Sequence, residues 1–198
     1  GKYTGVGNDF VASGTVTTAI GTVRSDMELI EKNDRFEYKG ELSTEQFDLG
    51  KFYSSPELGK LTSTFEINGA GLTRDDLDAS INGTIQSITV REYEYKTIET
   101  SGQFKQNFFE GKLGIIDPNV QLTFDGIIDF SEKLPFLDFS TQITHINPPA
   151  LNLVELPEYT SLSGDFRIKS RGIDIDIING SLEGTDVLIC TAKSEYPI

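Results

Sequence analysis

The chain has no tryptophan, one cysteine and one histidine, and it carries only 17 Lys and Arg residues against 31 Asp and Glu. Cys190 cannot form an internal disulfide, and His145 cannot complete a zinc site unless carboxylates supply the other ligands. The net charge of −14 repels the phosphate backbone of nucleic acids. No stretch approaches the roughly 20 apolar residues of a membrane span. Catalytic triads and zinc chemistry are therefore thinly supplied, and we predict no metal site, no membrane span in this chain and no nucleic-acid partner.

What the chain does have is a two-residue alternation of apolar and polar side chains, the period of a half-buried β-strand. Between 120 and 130 the even positions are Val, Leu, Phe, Gly, Ile and Phe, whereas the intervening positions are mostly polar. Similar alternation recurs at 65–67, 77–85, 104–108, 137–143, 162–168 and 173–177. Helical signals are few: 73–76 can cap one turn, and 150–156 can form a short helix. The predicted class is all-β with little helix.

Glycine forms a second regularity, with 19 residues in the chain. Many glycines, such as Gly126 and Gly164, share the apolar face of an alternating run. A strand from which inward side chains are missing can bend sharply, so this placement predicts curved strands. The alternative interpretation is that some glycines lie in tight turns, which Asn-Gly favours. The candidates for such turns are Asn68-Gly69, Asn82-Gly83 and Asn179-Gly180.

The strand-like segments follow one another without a linker, so we predict a single β unit over residues 1–198. A seam is expected near 147–157, where Pro148, Pro149 and Pro157 interrupt the alternation. On this pattern alone, alternating apolar faces are more typical of the closed core of a β-sandwich or barrel than of an open sheet.

An ordered series of motifs resembles the TamB/AsmA-like family, in the form found in Bacteroidota, over roughly positions 36 to 198. The series contains G-x-L-x-x-x-F-x-I-x-G-x-G from Gly59, L-D-A-x-I-x-G-x-I from Leu77 to Ile85, the pair Tyr93 and Tyr95, Phe109 to Leu113, Asp117-Pro118-Asn119, P-x-x-D-F-x-x-x-I from Pro135 to Ile143, Leu162 to Phe166, Ile178 to Leu182, and Tyr196. The first 35 residues match less clearly.

This resemblance implies a curved antiparallel sheet that forms an open half-pipe, and it reverses the preference for a closed β-sandwich. It implies that the chain is an internal piece of a long protein that crosses the periplasm from an anchor in the inner membrane. The implied roles are to conduct phospholipid between the two membranes and to assist outer-membrane protein assembly. The implied partners are phospholipid acyl chains and, through the parent chain, an assembly-type barrel protein of the outer membrane. The family pattern implies no catalytic residue and no cofactor, so we predict a protein that is not an enzyme.

The hypothetical lipid groove takes its lining from the apolar faces of the alternating runs. Its members are Phe65, Ile67, Ile81, Ile85, Phe104, Phe108, Val120, Leu122, Phe124, Ile128, Phe130, Phe139, Ile143, Phe166, Ile168 and Ile175. Burial of acyl chains against these residues is favourable by roughly 25 cal/mol per Å² of apolar surface.

Two other functional classes remain open on the sequence. A non-catalytic β-sandwich of the carbohydrate-binding or adhesin type would use exposed aromatic residues as a platform, and Tyr93 and Tyr95 are candidates. A hydrolase would need a carboxylate pair such as Asp174 and Asp176. That pair alternates with isoleucines, which favours a solvated strand face over catalysis.

Overall fold

A computed structural model of the protein describes residues 2–6, 9–32, 35–73, 75–154, 160–172, 179–191 and 195–197. The strands in this part of the chain are β1 (Lys2–Val6), β2 (Asp9–Thr18), β3 (Gly21–Lys32), β4 (Arg35–Asp48), β5 (Leu58–Ala70), β6 (Asp78–Val90), β7 (Tyr93–Lys105), β8 (Phe108–Asp117), β9 (Val120–Asp129), β10 (Phe136–Ile146), β11 (Ser161–Arg171), β12 (Asn179–Cys190) and β13 (Glu195–Pro197). One short helix, α1 (Leu49–Tyr53), joins β4 to β5. The prediction of an all-β protein with little helix is confirmed.

All of these strands form one antiparallel sheet in chain order, with β1 and β13 at its two edges. Each strand therefore pairs with the strand before it and the strand after it. Apart from α1 against β5, extensive contacts among the described elements join only consecutive strands. Among the described residues no second sheet packs on either face, and the sheet does not close into a barrel. The closed sandwich that the alternation favoured is therefore wrong, and the open curved sheet is the fold.

Burial in this sheet is sparse, as expected for a single layer. The accessible surface is 12777 Å², against about 9,300 Å² expected for a compact protein of 21.9 kDa. Among the described residues, the buried apolar side chains are Ala79, Ile98, Val120 and Leu151. Most other apolar side chains of the sheet remain half-buried. The apolar faces of the strands thus do not meet in a closed core.

The strand register sorts side chains onto two faces, because directly paired residues project to the same side. One row across the sheet contains Leu42, Phe65, Gly83, Thr100, Leu113, Phe124, Thr141, Phe166 and Gly184. The neighbouring row on the other side contains Glu41, Glu66, Asn82, Ser101, Lys112, Asp125, Ser140, Arg167 and Glu183. We call the first side the inward face and the second the outer face.

Glycine lets the strands bend toward the inward face. At Gly126 an added Cβ would lie 2.5 Å from the Cα of Phe139, and at Gly111 it would lie 2.8 Å from the Cα of Gly102. Only glycine fits such close approaches between strands, and missing side chains on one face permit strong curvature. Gly69, Gly83 and Gly180 lie inside strands, so the interpretation of their Asn-Gly pairs as turns is wrong.

A line of β-bulges crosses the sheet at a single level, which we call the crease. Register shifts fall after Thr44 in β4, beside Ser63 in β5, after Ile143 in β10 and between Ser163 and Asp165 in β11. These positions lie in or next to one row, which also includes Ile85, Ile98, Ile115 and Leu122. A bulge bends its strand and increases the local twist, so the aligned bulges bend these strands along one line.

The segment from 147 to 154 forms turns, so the short helix predicted at 150–156 is wrong over its described residues. The side chain of Asn147 accepts a hydrogen bond from the backbone N–H of Ala150 at 3.3 Å. On both sides of this segment β10 and β11 pair directly, and the sheet continues across it. In the described ranges, no helix is long and apolar enough to cross a membrane.

Candidate functional site

The candidate site is the inward face of the curved sheet, which we call the trough. Its lining comes from every second residue of β5 to β12, held in rows by the antiparallel register. Within the described parts of these strands, the lining contains no Lys, Arg or Glu. Its polar members are small hydroxyl residues, two tyrosines and Asp117. Such a surface matches hydrocarbon in polarity and offers few partners to a charged ligand.

Most of the predicted groove residues share this face. They are Phe65, Ile67, Ile81, Ile85, Phe104, Val120, Leu122, Phe124, Ile128, Phe139, Ile143, Phe166 and Ile168. With the exception of the buried Val120, their side chains are half-buried and reachable from solvent. The sheet thus gathers into one surface residues that lie more than 100 positions apart in the sequence.

Three predicted groove residues stand apart from that group. Phe108 pairs with Lys105 and with Asp129, so it lies on the outer face. The alternation from Phe104 assumed a continuous strand, but a turn at 106–107 resets the phase. Phe130 follows the end of β9 and is 46 % exposed, and Ile175 lies outside the described residues, as do Asp174 and Asp176.

The sequence prediction omitted several inward residues, of which Phe109 is the clearest. Phe109 pairs with Phe104 across β7 and β8, and their ring centroids are 4.7 Å apart. Phe124 and Phe139 form a second pair at 4.7 Å. Ile98, Leu113, Ile115 and Leu137 also belong to the lining. The prediction missed a two-residue hairpin turn at Gln106-Asn107. This turn places Phe109, and not Phe108, on the inward face.

The trough is covered around Val120, on the side where β6–β7, β8–β9 and β10–β11 turn. Val120 is 1 % exposed. The segment 147–154 lies beside it: the Asn147 backbone N–H donates to the carbonyl of Asn119 at 2.8 Å, and Leu151 in the same segment is 1 % exposed. We call this side of the trough the loop side and the opposite side, beyond the crease, the glycine side.

Tyr93 and Tyr95 lie on the loop side and do not form an open aromatic platform. Their rings meet edge to face, with centroids 4.8 Å apart and planes inclined at 76°. The Tyr93 hydroxyl donates to the carboxylate of Asp117. Burial raises the pKa of both hydroxyls above 10.0, and for Tyr93 the bond to Asp117 adds to the shift. These tyrosines have a packing role, which explains their spacing without a sugar ligand.

The outer face carries a shallow polar depression of about 910 Å³ between β4 and β9. Its walls include Glu66, Glu99 and Thr123, which are exposed, and the ion pair between Lys112 and Asp125 at 3.0 Å. Exposed ion pairs of this kind contribute little, and none of these wall groups is buried. We assign the candidate site to the trough and not to this depression, because the depression has the character of an ordinary solvated sheet face.

Three half-buried carboxylates near the strand ends act as turn caps. Hydrogen bonds from Lys51, Thr73 and Ser131 lower the pKa values of Asp48, Asp76 and Asp129, respectively. A lowered pKa keeps a carboxyl group ionised, so these groups do not serve as proton donors near neutral pH. In the described part of the chain, no group of three or more His, Cys, Asp and Glu residues could hold a metal ion.

Comparisons with protein-family models, with curated proteins and with solved structures give no significant match to this chain.

Proposed function

We propose that the trough shelters the acyl chains of phospholipids as part of a conduit between the inner and outer membranes. The observation that carries the proposal is the uncovered apolar inward face, which runs across most of the sheet without Lys, Arg or Glu in β5 to β12. Exposed apolar surfaces larger than a few hundred Å² are rare on monomeric proteins and mark binding surfaces.

The energetics favour passage over tight storage. Each methylene that leaves water gains about 0.8 kcal/mol, whether it enters a bilayer or the trough. Exchange of an acyl chain between these two apolar environments is therefore near neutral, whereas travel through water is not. The acidic outer face keeps the trough dissolved and repels anionic headgroups.

The dimensions suit two acyl chains end to end. The eight strands β5 to β12, with spacings of about 4.8 Å, give a trough about 34 Å long. An acyl chain occupies about half of the roughly 30 Å hydrocarbon core of a bilayer. One trough of this length therefore accommodates about two chains along its axis.

The cellular setting of the proposal comes from the motif resemblance. It places the chain in the periplasm, within a longer protein anchored in the inner membrane. That parent protein supports outer-membrane biogenesis and works with an assembly-type barrel protein of the outer membrane.

Adjacent isoleucines on opposite faces of β9 provide the test. Ile128 lies on the inward face and Ile127 on the outer face, and both are half-buried. A photo-crosslinking amino acid, p-benzoylphenylalanine, replaces either residue in the full chain expressed in bacteria. After irradiation, mass spectrometry should find phospholipid attached at 128 and little at 127, because only position 128 faces the trough.

A second matched pair, Phe124 and Thr123 in the same strand, repeats the comparison on the adjacent row. Equal labelling of the two faces would mean that lipid adheres without using the trough. Absence of lipid at both inward positions would overturn the proposed function.

A further inference from the structure

The hydrogen-bond ladder between β7 and β8 ends before the strands do. The last paired residues toward the loop side are Ile98 and Ile115, although β7 continues to Tyr93 and β8 to Asp117. On either side of this junction the ladders run to the ends of the strands, where Val90 pairs with Tyr93 and Asp117 with Val120. The sheet is therefore slit between two hairpins, β6–β7 and β8–β9.

The slit has a local cause at the crease. Thr97 in β7 adopts a left-handed backbone conformation with φ 49°, which marks an extra residue in that strand. At the same level β6 has two residues between its inward side chains Ile85 and Ile88, where strict alternation would have one. Because β6 and β7 both contain this extra residue, they stay in register. In β8 the inward side chains alternate strictly across this level, and β8 stays in register with β9. Strand β7 therefore leaves β8 at the crease and remains paired with β6.

A side-chain clasp spans the slit in place of the ladder. The Asp117 carboxylate accepts from the backbone N–H of Lys96 at 3.1 Å, from the backbone N–H of Asn119 at 2.9 Å and from the Tyr93 hydroxyl. The Asn119 amide also donates to the Tyr93 hydroxyl at 3.1 Å. Asp117 is 8 % exposed. A single buried carboxylate thus holds the two hairpins together.

The segment 147–154 ties the same two hairpins from above. The Asn147 backbone N–H donates to the Asn119 carbonyl at 2.8 Å, on the β8–β9 side of the slit. The Asn152 side chain donates to the Arg91 carbonyl at 2.8 Å, on the β6–β7 side. Both ties consist of individual hydrogen bonds, so each can break without unzipping a strand pair.

We infer that the slit between β7 and β8 is a lateral gate in the wall of the trough, latched by Asp117. When the clasp opens, the β6–β7 hairpin moves away from the β8–β9 hairpin and an acyl chain passes sideways between them. We expect this opening to be local, because segments with few ladder hydrogen bonds open at lower free energy than paired strands. The ligand of this gate rests on the proposed function, whereas the opening itself does not.

Tyr93→Phe tests the latch because it removes both bonds of the Tyr93 hydroxyl across the slit, to Asp117 and from Asn119, and keeps the ring. Tyr95→Phe is the matched control, since its hydroxyl lies outside the clasp. In the full-length chain, hydrogen exchange at the Lys96 amide should rise about fivefold in Tyr93→Phe and stay unchanged in Tyr95→Phe. Exchange in the paired strands β9 to β11 should not change in either variant.

The second readout is stopped-flow binding of cis-parinaric acid, a fluorescent fatty acid. Tyr93→Phe should speed both uptake and release about fivefold while the Kd stays within twofold, because a gate changes rates and leaves the bound state as it was. Asp117→Asn, which weakens all three accepted bonds, should speed exchange further.

The outcomes separate the gate from the proposed function. Unchanged exchange at Lys96, or increased exchange throughout the sheet, would overturn the latch. A weakened Kd that comes from faster release alone, with uptake unchanged, would overturn the gate and leave Asp117 a purely structural role. If wild-type protein binds no parinaric acid, the proposed function fails, and the local opening is then judged by hydrogen exchange alone.

Discussion

The trough differs on the two sides of the crease. On the glycine side, strands approach closely at glycines, the ladders are continuous, and large residues such as Phe124 and Phe139 stay half-buried. On the loop side, one ladder is replaced by the Asp117 clasp, and Val120 and Leu151 are almost fully buried. The large apolar side chains of the glycine side stay half-buried, whereas the loop side is covered around Val120 by the segment 147–154.

The contrast shows that the same strands bend by two mechanisms. Glycine bends a strand by removing a side chain from the concave face, and it leaves the backbone ladder intact. A bulge bends a strand by inserting a residue, and it interrupts the ladder. The first mechanism suits a continuous binding surface. The second creates a place where the wall can part, which explains why the slit lies at the crease.

The largest effect on stability is expected on the loop side, in the variant Leu151→Ala. Leu151 is 1 % exposed, and truncation of a fully buried leucine costs about 3 kcal/mol through lost burial and the cavity left behind. Urea unfolding followed by circular dichroism measures the change in the free energy of unfolding.

Leu182→Ala is the matched control for Leu151→Ala. Leu182 lies on the inward face of β12 but is 67 % exposed, so its truncation should change stability by no more than about 0.5 kcal/mol. Equal losses in the two variants would mean that the loop side is not a covered region, and the contrast between the two sides would fail.

A smaller effect is expected on the glycine side, in Gly126→Ala. The added Cβ would lie 2.4 Å from the carbonyl oxygen of Asp138 and 2.5 Å from the Cα of Phe139, so two strands must separate at a cost of about 2 kcal/mol. Gly114→Ala is the control: it lies on the outer face of β8, where an added Cβ meets nothing within 4 Å.

Gly114→Ala should be neutral or stabilising by up to about 1 kcal/mol, because alanine restricts the unfolded chain. The two variants are compared by urea unfolding. If both glycines tolerate alanine equally well, close approach between strands is not what bends the sheet.

The sequence predicted the faces of the glycine side better than the structure of the loop side. Strict alternation identified most of the large inward residues on the glycine side, because the side-chain period of a strand is two. Phe108 failed because a single unrecognised turn reverses the phase. Openness was not visible from the pattern, since the same alternation builds a closed sandwich. Whether a second sheet packs on the first depends on how all the strands pair, which the alternation within one strand does not show.

The bulges had a sequence signal that simple alternation passes over. Two polar residues separate inward residues in Ile85-Gln86-Ser87-Ile88, in Tyr95-Lys96-Thr97-Ile98 and in Ile143-Thr144-His145-Ile146. A slip of the apolar phase by one residue is the expected trace of an inserted residue. The clasp had no such signal, because Asp117 meets Tyr93 and Lys96 only after the ladder between their strands has ended.

The smallest expected effect is a difference between the two sides in how stability depends on pH. Burial raises the pKa values of Tyr93 and Tyr95 on the loop side above 10.0, so the folded state favours the neutral hydroxyls. Their contribution to stability is complete below pH 10 and is lost as the pH rises through the folded-state pKa values. The urea midpoint of wild-type protein should therefore fall above pH 10, and the fall should be shallower in the double variant Tyr93→Phe/Tyr95→Phe.

Tyr38 on the glycine side also has a pKa raised by burial, and Tyr38→Phe serves as the comparison. A fall that begins well below pH 9, or an identical fall in the double variant, would assign the alkaline loss to general repulsion in this acidic chain and not to the clasp.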